Sequence, residues 1–351
     1  MTSKERVKTA LSHKEPDRVP LCADFVPEAA EALEKRLGIG DYYDMLVALG
    51  NDMLVASAGI ATVFYGEGDE NGEYVCPWGN TWKYFDNKFG SYTEVVKHAL
   101  AGDEDGSKLE AYRIPDPMEE TQYDKLREII KKYGDTHYIC GSLACTIFES
   151  SWYTGGLVNV LERMAADPMY ANALFDKMME FPLRAGPKMI DMGVDMIWLG
   201  DDVGMQHSMM MSPDTWREYF KPRMAKLIST YKNHKPDIKV AYHSCGFIKP
   251  IIPDLVEIGL DVLNPIQPLA MDPAEIKKEF GGKLSFWGSI CIQKTLPSGS
   301  VSDIKNEVKL RMDTIGKGGG FIMGPAHNVQ ADTSVDNILA FYDAAKEFGK
   351  Y

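Results

Sequence analysis

The sequence predicts an α/β protein folded as a (β/α)8 TIM barrel. Eight short, mostly apolar segments alternate with helical segments along the chain, and polar residues follow most of the apolar segments directly. Such alternation is typical of a parallel sheet covered by helices, and closed barrels carry their functional residues on the loops after the strands. The alternative is an open doubly wound sheet. That fold favours a glycine-rich turn after the first strand, and Cys-Ala-Asp-Phe at 22–25 contains no glycine.

The predicted strands are bounded by turn and helix-start signals. They span residues 18–25, 52–57, 138–145, 194–200, 238–243, 260–264, 284–288 and 320–324. Helices are predicted at 27–37, 42–49, 92–100, 116–132, 156–190 (two helices), 213–232, 301–315 and 335–348. Two more are predicted, one that ends at residue 258 and one that begins at residue 272. Ser212 before Pro213 and Asp272 before Pro273 are strong helix-start signals, since a capping side chain precedes proline at the first helical position.

One connection breaks the alternation. Residues 61–90 are rich in glycine and aromatic residues, with turn signals at Glu70-Asn-Gly72 and Trp78-Gly-Asn80, so we expect a β-hairpin insertion after the second strand. The domain prediction is therefore a single barrel over 1–351, with 58–137 as an insertion-bearing connection. A lid, a partner-docking surface and a homodimer contact all remain open for the hairpin.

Composition excludes several function classes. The chain has 351 residues, 45% hydrophobic and 25% charged, as in soluble globular proteins. No apolar run approaches the roughly 20 residues of a membrane helix. A net charge of −13 argues against nucleic acid or anionic membrane as a partner. The N-terminus does not look like a signal peptide, and the six cysteines form no C-x-x-C pair, so we expect a reduced, cytoplasmic protein.

A metal site is predicted where the fifth strand ends. His243 and Cys245 are two residues apart and therefore leave the same face of a strand, where they could share a zinc ion. The alternative is a buried cysteine beside a hydrogen-bonded histidine. A zinc site needs a third protein ligand, and His327 after the last strand is the best-placed candidate. The fourth position is open to Cys291, Glu149, Gln267, the Asp201–Asp202 pair, water or substrate.

Further polar and aromatic residues follow the other strands. They are Asp24, Phe148, Glu149, Trp152, Asp201, Asp202, Asn264, Gln267 and Asn328. Individually, several of the polar residues could cap helices or stabilise turns. Together they are too polar for a barrel mouth without a ligand. We assign Asp202 and Glu149 as candidate catalytic residues and the others as candidate substrate-binding residues.

Several motifs resemble the uroporphyrinogen decarboxylase superfamily. They are Asp-Asp-Val-Gly-Met-Gln at 201–206, the segment 211–222, His-Ser-Cys-Gly at 243–246, Phe-Trp-Gly at 286–288 and Gly-Pro-Ala-His-Asn-Val-Gln at 324–330. The resemblance covers nearly the whole chain and implies a (β/α)8 barrel. The decarboxylases themselves carry an arginine-bearing, glycine-rich signature near the N-terminus that binds substrate carboxylates. This chain has Leu-Cys-Ala-Asp-Phe at 21–25 instead, so porphyrinogen decarboxylation is not expected.

The His-x-Cys element is similar to that of the zinc-dependent, corrinoid-linked methyltransferases of this superfamily. Those methyltransferases usually complete the zinc site with a cysteine near the last strand. When the segment 332–338 is aligned with theirs, His327 occupies the position of that cysteine. The resemblance therefore implies the O-demethylase methyltransferase components, which act on phenyl methyl ethers, rather than enzymes that methylate a thiol such as coenzyme M. Where such relatives usually have an acidic residue after the seventh strand, this chain has Cys291, whose role stays open.

The function implied is transfer of a methyl group from a methoxylated aromatic compound to the cobalt of a separate corrinoid protein, assisted by zinc. Asp202 or Glu149 would position or protonate the ether oxygen, and Asp24, Asn264 and Asn328 would orient the substrate. The corrinoid must arrive on a partner, because no corrinoid-binding segment is visible. The alternatives are a metal-independent decarboxylase or lyase that uses Asp202, with His243 and Cys245 structural, and a non-catalytic binding barrel.

Overall fold

The computed structural model describes residues 1–59 and 64–351, and its main element is a parallel sheet of seven strands. The strands are β1 (Met53–Ser57), β5 (Tyr138–Ala144), β6 (Met196–Gly200), β7 (Lys239–His243), β8 (Val262–Asn264), β9 (Ser285–Ile290) and β10 (Phe321–Pro325). They are paired in this order along the sheet. Because all these pairs are parallel, the carboxyl ends of the seven strands lie at the same end of the sheet.

Residues 18–25, predicted as the first of eight strands, do not form a strand, so the predicted strand count is not confirmed. Leu21 instead makes an isolated parallel bridge to Met323 of β10, while its carbonyl accepts the Asp52 N–H at 2.7 Å. Pro20 has no N–H and cannot donate to a ladder, which limits this segment to single bridges. The segment still hydrogen bonds with β10 and with the residues that lead into β1, at the two ends of the sheet.

Side chains from all seven strands and from this first segment pack together inside the sheet. The cluster includes Cys22, Met53, Val55, Cys140, Met196, Ala241, Val262, Trp287 and Ile322. Successive side chains on a strand alternate between faces, so this interior layer takes one or two residues from each strand. The interior below the strand ends is therefore filled by side chains.

The connection between β1 and β5 forms a second sheet. It consists of β2 (Glu73–Val75), β3 (Thr81–Asn87) and β4 (Gly90–Lys97), all antiparallel. Residues 61–63 of the predicted hairpin lie outside the described residues. The helix predicted at 92–100 is wrong, since Val95 in this segment pairs with Trp82 in β3. The run Thr93-Glu-Val-Val96 contains β-branched residues that fit a strand once a partner strand is available.

The segments before, between and after the parallel strands form helices. They are α1 (Ser3–Leu11), α2 (Pro27–Leu37), α3 (Tyr42–Leu49), α4 (Ser107–Ala111), α5 (Asp124–Tyr133), α6 (Phe148–Gly155), α7 (Leu157–Ala166), α8 (Pro168–Met192), α9 (Pro213–Tyr219), α10 (Lys221–His234), α11 (Ile252–Glu257), α12 (Pro273–Phe280), α13 (Thr295–Ser298), α14 (Val301–Arg311) and α15 (Val335–Phe348). The helix predicted at 213–232 divides at Phe220, since Pro222 cannot donate the backbone bond that a continuous helix needs. Among the described helices, none is long and apolar enough to cross a membrane.

Candidate metal centre

Three potential metal ligands meet at the carboxyl ends of the strands. His243 is the last residue of β7, Cys245 follows two residues later, and His327 lies in the loop after β10. One ligand atom from each residue lies within 4.8 Å of the others, and His243 Nε2 is 3.5 Å from Cys245 Sγ. Two imidazoles and one thiol at this spacing are a donor set that suits zinc. The structure thus brings together the three ligands predicted from the sequence.

A hydrogen bond orients the His243 ring. Its Nδ1 lies 2.7 Å from Asn264 Oδ1, and the amide of Asn264 donates through Nδ2 to the Trp287 carbonyl at 3.0 Å. Because the amide oxygen therefore faces the ring, Nδ1 carries a proton and Nε2 is the nitrogen left to bind a cation. Histidines that bind metals are usually held in this way by a hydrogen bond to the other ring nitrogen. The trace of Asn264 is fixed by β8, where it pairs with His243.

The loops after β6 and β7 touch backbone to backbone, which sets the place of Cys245. Phe247 N–H donates to the Met205 carbonyl at 2.7 Å. A Cβ on Gly204 would lie 2.4 Å from the Cys245 carbonyl oxygen, and a Cβ on Gly246 would lie 2.5 Å from the Met205 oxygen. Side chains at either position would force the two loops apart. Both glycines lie within the motifs at 201–206 and 243–246, but the sequence alone did not show that they touch.

Gly204→Ala is therefore expected to weaken zinc binding about ten- to a hundredfold, as loss of a ligand's support commonly does. The added methyl group displaces the Cys245 backbone and with it the thiol. Competition with a chromophoric chelator measures the change. Gly282→Ala is the control, because a Cβ there meets no atom within 4 Å. Equal zinc affinity in both variants would show that this loop contact does not position the ligand.

The electrostatics of the three-ligand cluster favour a positive charge. Asp202 Oδ1 accepts the Cys245 N–H at 2.7 Å and lies 3.4 Å from His243 Nε2. Burial opposes protonation of His243, but Cys245 and Asp202 together raise the pKa of its imidazole well above the usual value. For Asp202, burial also acts against the charged form, but the bond to His243, the charge of His243 and the Cys245 N–H together outweigh burial and lower the pKa to about 2. A metal cation bound to His243 Nε2 would be stabilised by the same neighbouring groups that favour a proton on the imidazole.

Two further carboxyl groups lie behind Asp202. Glu149 Oε2 accepts the Asp202 N–H at 3.1 Å, and burial, followed by repulsion from Asp202 and Asp201, raises the pKa of Glu149 well above its usual value. Asp201 accepts the N–H groups of Ile147 and Glu149 at 3.0 and 2.9 Å. Burial outweighs these bonds and raises the pKa of Asp201 to about 7. The raised pKa favours the protonated form of Glu149, which is the form that can donate a proton.

A cavity of about 620 Å³ opens beside the metal ligands. Its lining includes His243, His327, Asp202 and Glu149. Aromatic side chains form much of its wall, namely Phe25, Tyr42, Phe64, Tyr65, Tyr92, Tyr153, Trp198 and Trp287. Phe64, Tyr65 and Tyr92 belong to the connection between β1 and β5, so this connection forms one side of the cavity. Tyr42, on α3, was missed from the sequence because it follows no predicted strand.

The other predicted site residues divide into two groups. Asp24, Asn264 and Asn328 line the cavity. The described residues that line the cavity do not include Phe148, Trp152, Asp201 or Gln267. Phe148 packs against Phe220 with ring centroids 5.5 Å apart, Trp152 against Tyr153 at 3.9 Å, and the Gln267 amide oxygen accepts the Gly246 N–H. Cys291 is buried, and its N–H donates to Glu307 at 3.1 Å.

The chain is similar in sequence to two kinds of known protein. It is 28% identical over 160 residues to the methylcobamide:CoM methyltransferase MtaA of Methanosarcina barkeri, which covers 46% of this chain and 44% of that relative. It is 23% identical over 254 residues to uroporphyrinogen decarboxylase of Actinobacillus succinogenes, covering 70% of each. The match thus spans less than half the length of the MtaA relative.

A solved methyltransferase structure from Methanosarcina mazei superposes with a TM-score of 0.71 at 20% identity, covering 99% of both chains. This likeness shows a shared fold. The model of the family described as uroporphyrinogen decarboxylase (URO-D) matches residues 95–348, well over half of the 351 residues. The resemblance predicted from the motifs is confirmed, and the chain belongs to the uroporphyrinogen decarboxylase (URO-D) family.

Proposed function

We propose that this protein is a zinc-dependent methyltransferase that moves a methyl group from a methoxylated aromatic compound to the cobalt of a separate corrinoid protein. The observation that carries the proposal is the meeting of His243, Cys245 and His327 within 4.8 Å beside an aromatic-walled cavity. The similarity to MtaA, a methylcobamide:CoM methyltransferase, supports the reaction class. The name of that relative makes the corrinoid the methyl donor, whereas we infer that here the corrinoid is the methyl acceptor and a phenyl methyl ether is the donor.

The residues present fit a zinc ion, which His243, Cys245 and His327 would hold. One thiolate cancels only half of the charge of Zn²⁺, so the bound ion supplies Lewis-acid stabilisation to an ether oxygen. Asn264 keeps the His243 tautomer that leaves Nε2 available. Asp202 holds the backbone of Cys245 and so positions the thiol.

Glu149 is the candidate proton donor. Methyl transfer breaks the bond between the methyl carbon and the ether oxygen, the electron pair stays on oxygen, and the leaving group is a phenolate. The buried carboxylic acid of Glu149 lines the cavity and would protonate that phenolate. Asp24, Asn264 and Asn328 would orient the ring, and Asp201, Gln267, Phe148 and Trp152 would hold the loops and helices that carry the site.

A metal-independent decarboxylase is the second candidate, because the match to uroporphyrinogen decarboxylase covers 70% of the chain. Substrates of decarboxylases carry carboxylates, which commonly pair with Arg or Lys. Among the described residues that line the cavity, none is Arg or Lys. This composition favours the methyltransferase.

The test supplies the purified, zinc-loaded protein with 2-methoxyphenol and cob(I)alamin, the latter as a probe for the partner's cofactor. We expect catechol and methylcobalamin to form in equal amounts. Chromatography measures the catechol, and the visible spectrum measures the methylcobalamin. Removing zinc with a chelator should stop the reaction, and adding zinc back should restore it. Full turnover by the zinc-free protein, or release of carbon dioxide from a porphyrinogen, would contradict the proposal.

A further inference from the structure

The charged residues that line the cavity are mainly acidic. Asp24, Glu149 and Asp202 contribute three carboxyl groups to its wall, and the described lining residues include no Lys or Arg. Glu149 and Asp202 lie beside the metal ligands, where Asp202 Oδ1 is 3.4 Å from His243 Nε2 and Glu149 accepts the Asp202 N–H. Asp24 has no Lys or Arg beside it among the described lining residues. It is therefore the residue whose charge a ligand would meet at the other side of the cavity.

Asp24 is held rigidly, on the far side from His243. Asp24 lies near the end of the segment 18–25, which contacts β10 and the residues before β1. His243 ends β7, which is the middle strand of the seven. The Asp24 carbonyl accepts the Val329 N–H at 2.9 Å. Preceding it, Ala23 exchanges two hydrogen bonds with the Asn51 side chain, at 3.3 and 2.8 Å. The backbone around Asp24 is thus fixed on both sides.

The carboxylate of Asp24 is only partly used. Tyr42 donates its hydroxyl hydrogen to Asp24 Oδ1 at 3.2 Å, and the Tyr42 oxygen accepts the Phe25 N–H at 3.2 Å. In the described part of the chain, no hydrogen bond reaches the second oxygen, Oδ2. A half-buried carboxylate oxygen in a cavity is a strong acceptor for a donor group on a ligand.

We propose that Asp24, oriented by Tyr42, selects methoxyphenols over methoxybenzoates by accepting a hydrogen bond from the free phenolic hydroxyl of the substrate. This inference rests on the proposed function and names its substrate class. A substrate carboxylate in the same place would face a fixed carboxylate without an intervening cation, and like charges repel strongly where water is excluded. Burial raises the pKa of Asp24 to about 6, which leaves it mainly ionised at pH 7.5.

Calorimetry of the zinc-loaded protein tests the inference without turnover. The probes are the three methoxyphenol isomers, the three matching methoxybenzoates, and methoxybenzene, which lacks both groups. We expect the best methoxyphenol to bind about tenfold or more tightly than methoxybenzene, as for one hydrogen bond to a charged group. Every methoxybenzoate should bind more weakly than methoxybenzene.

Asp24→Asn should remove most of the difference in affinity between methoxyphenol and methoxybenzoate while leaving the zinc content unchanged. Tyr42→Phe, which keeps the charge and frees Oδ1, should retain the discrimination against methoxybenzoates. Glu31→Gln, at an exposed carboxylate on α2, is the control for a change in net charge. Unchanged selectivity in Asp24→Asn, or methoxybenzoates as the tightest ligands of the wild type, would overturn the inference and leave the proposed function standing. Failure of all seven probes to bind would overturn the proposed substrate class itself.

Discussion

Replacing His243 by Ala is expected to lower bound zinc from about one ion per chain to less than about one-tenth and to abolish methyl transfer. The imidazole Nε2 is 3.5 Å from Cys245 Sγ, and among the described residues His327 completes the three-ligand cluster, so loss of the imidazole leaves two of its protein ligands. Two ligands hold zinc far less tightly than three. His327→Ala should have the same effect, and it tests the ligand that stands where related methyltransferases usually have a cysteine.

Elemental analysis of the purified variants, beside wild-type protein prepared in parallel, measures this effect. His207→Ala is the matched control, since this histidine follows β6 but is exposed and lies outside the three-ligand cluster. Circular dichroism should show that all variants are folded. If both His243→Ala and His327→Ala keep wild-type zinc, the metal centre as described is wrong and the methyltransferase proposal fails with it.

Replacing Asp52 by Ala is expected to have the largest effect on folding, lowering the free energy of unfolding by about 3 to 5 kcal/mol. Its fully buried carboxylate accepts Arg6 at 2.6 Å, Arg18 at 2.7 Å and the Leu21 N–H at 2.9 Å. Alanine would leave the two guanidinium groups without this partner and Leu21 without its acceptor. The segment that meets both ends of the sheet would lose its main anchor.

Urea unfolding followed by tryptophan fluorescence measures the loss. Asp17→Ala is the matched control, because Asp17 also bonds Arg6, at 2.7 Å, but is 43% exposed. Exposed ion pairs usually contribute only about 0 to 1 kcal/mol. Equal destabilisation by the two substitutions would show that burial of the Asp52 network is not what holds the first segment.

Much of the site could be predicted from local patterns. The two-residue spacing of His243 and Cys245 puts both on one face of a strand end, whatever the rest of the fold. The seven strands of the parallel sheet also fall within or beside predicted segments, since apolar runs between helix signals are readable locally. The predictions that failed concern segments whose state depends on a partner. Residues 92–97 form a strand because β3 is available, and 18–25 make single bridges because Pro20 interrupts the ladder.

The sequence by itself determined the order of the seven parallel strands, the family resemblance and the three candidate ligands. Only the tertiary structure decided which strand-end residues share the cavity. Asp24 and Asn264 do, whereas Asp201 is bonded to backbone groups and Phe148 is packed against Phe220. The physical reason is that a buried polar group satisfies its hydrogen bonds with whichever groups the fold brings near, and those groups are distant in sequence. For the same reason, the contact of Gly204 with Cys245 could be recognised only once β6 and β7 lay side by side.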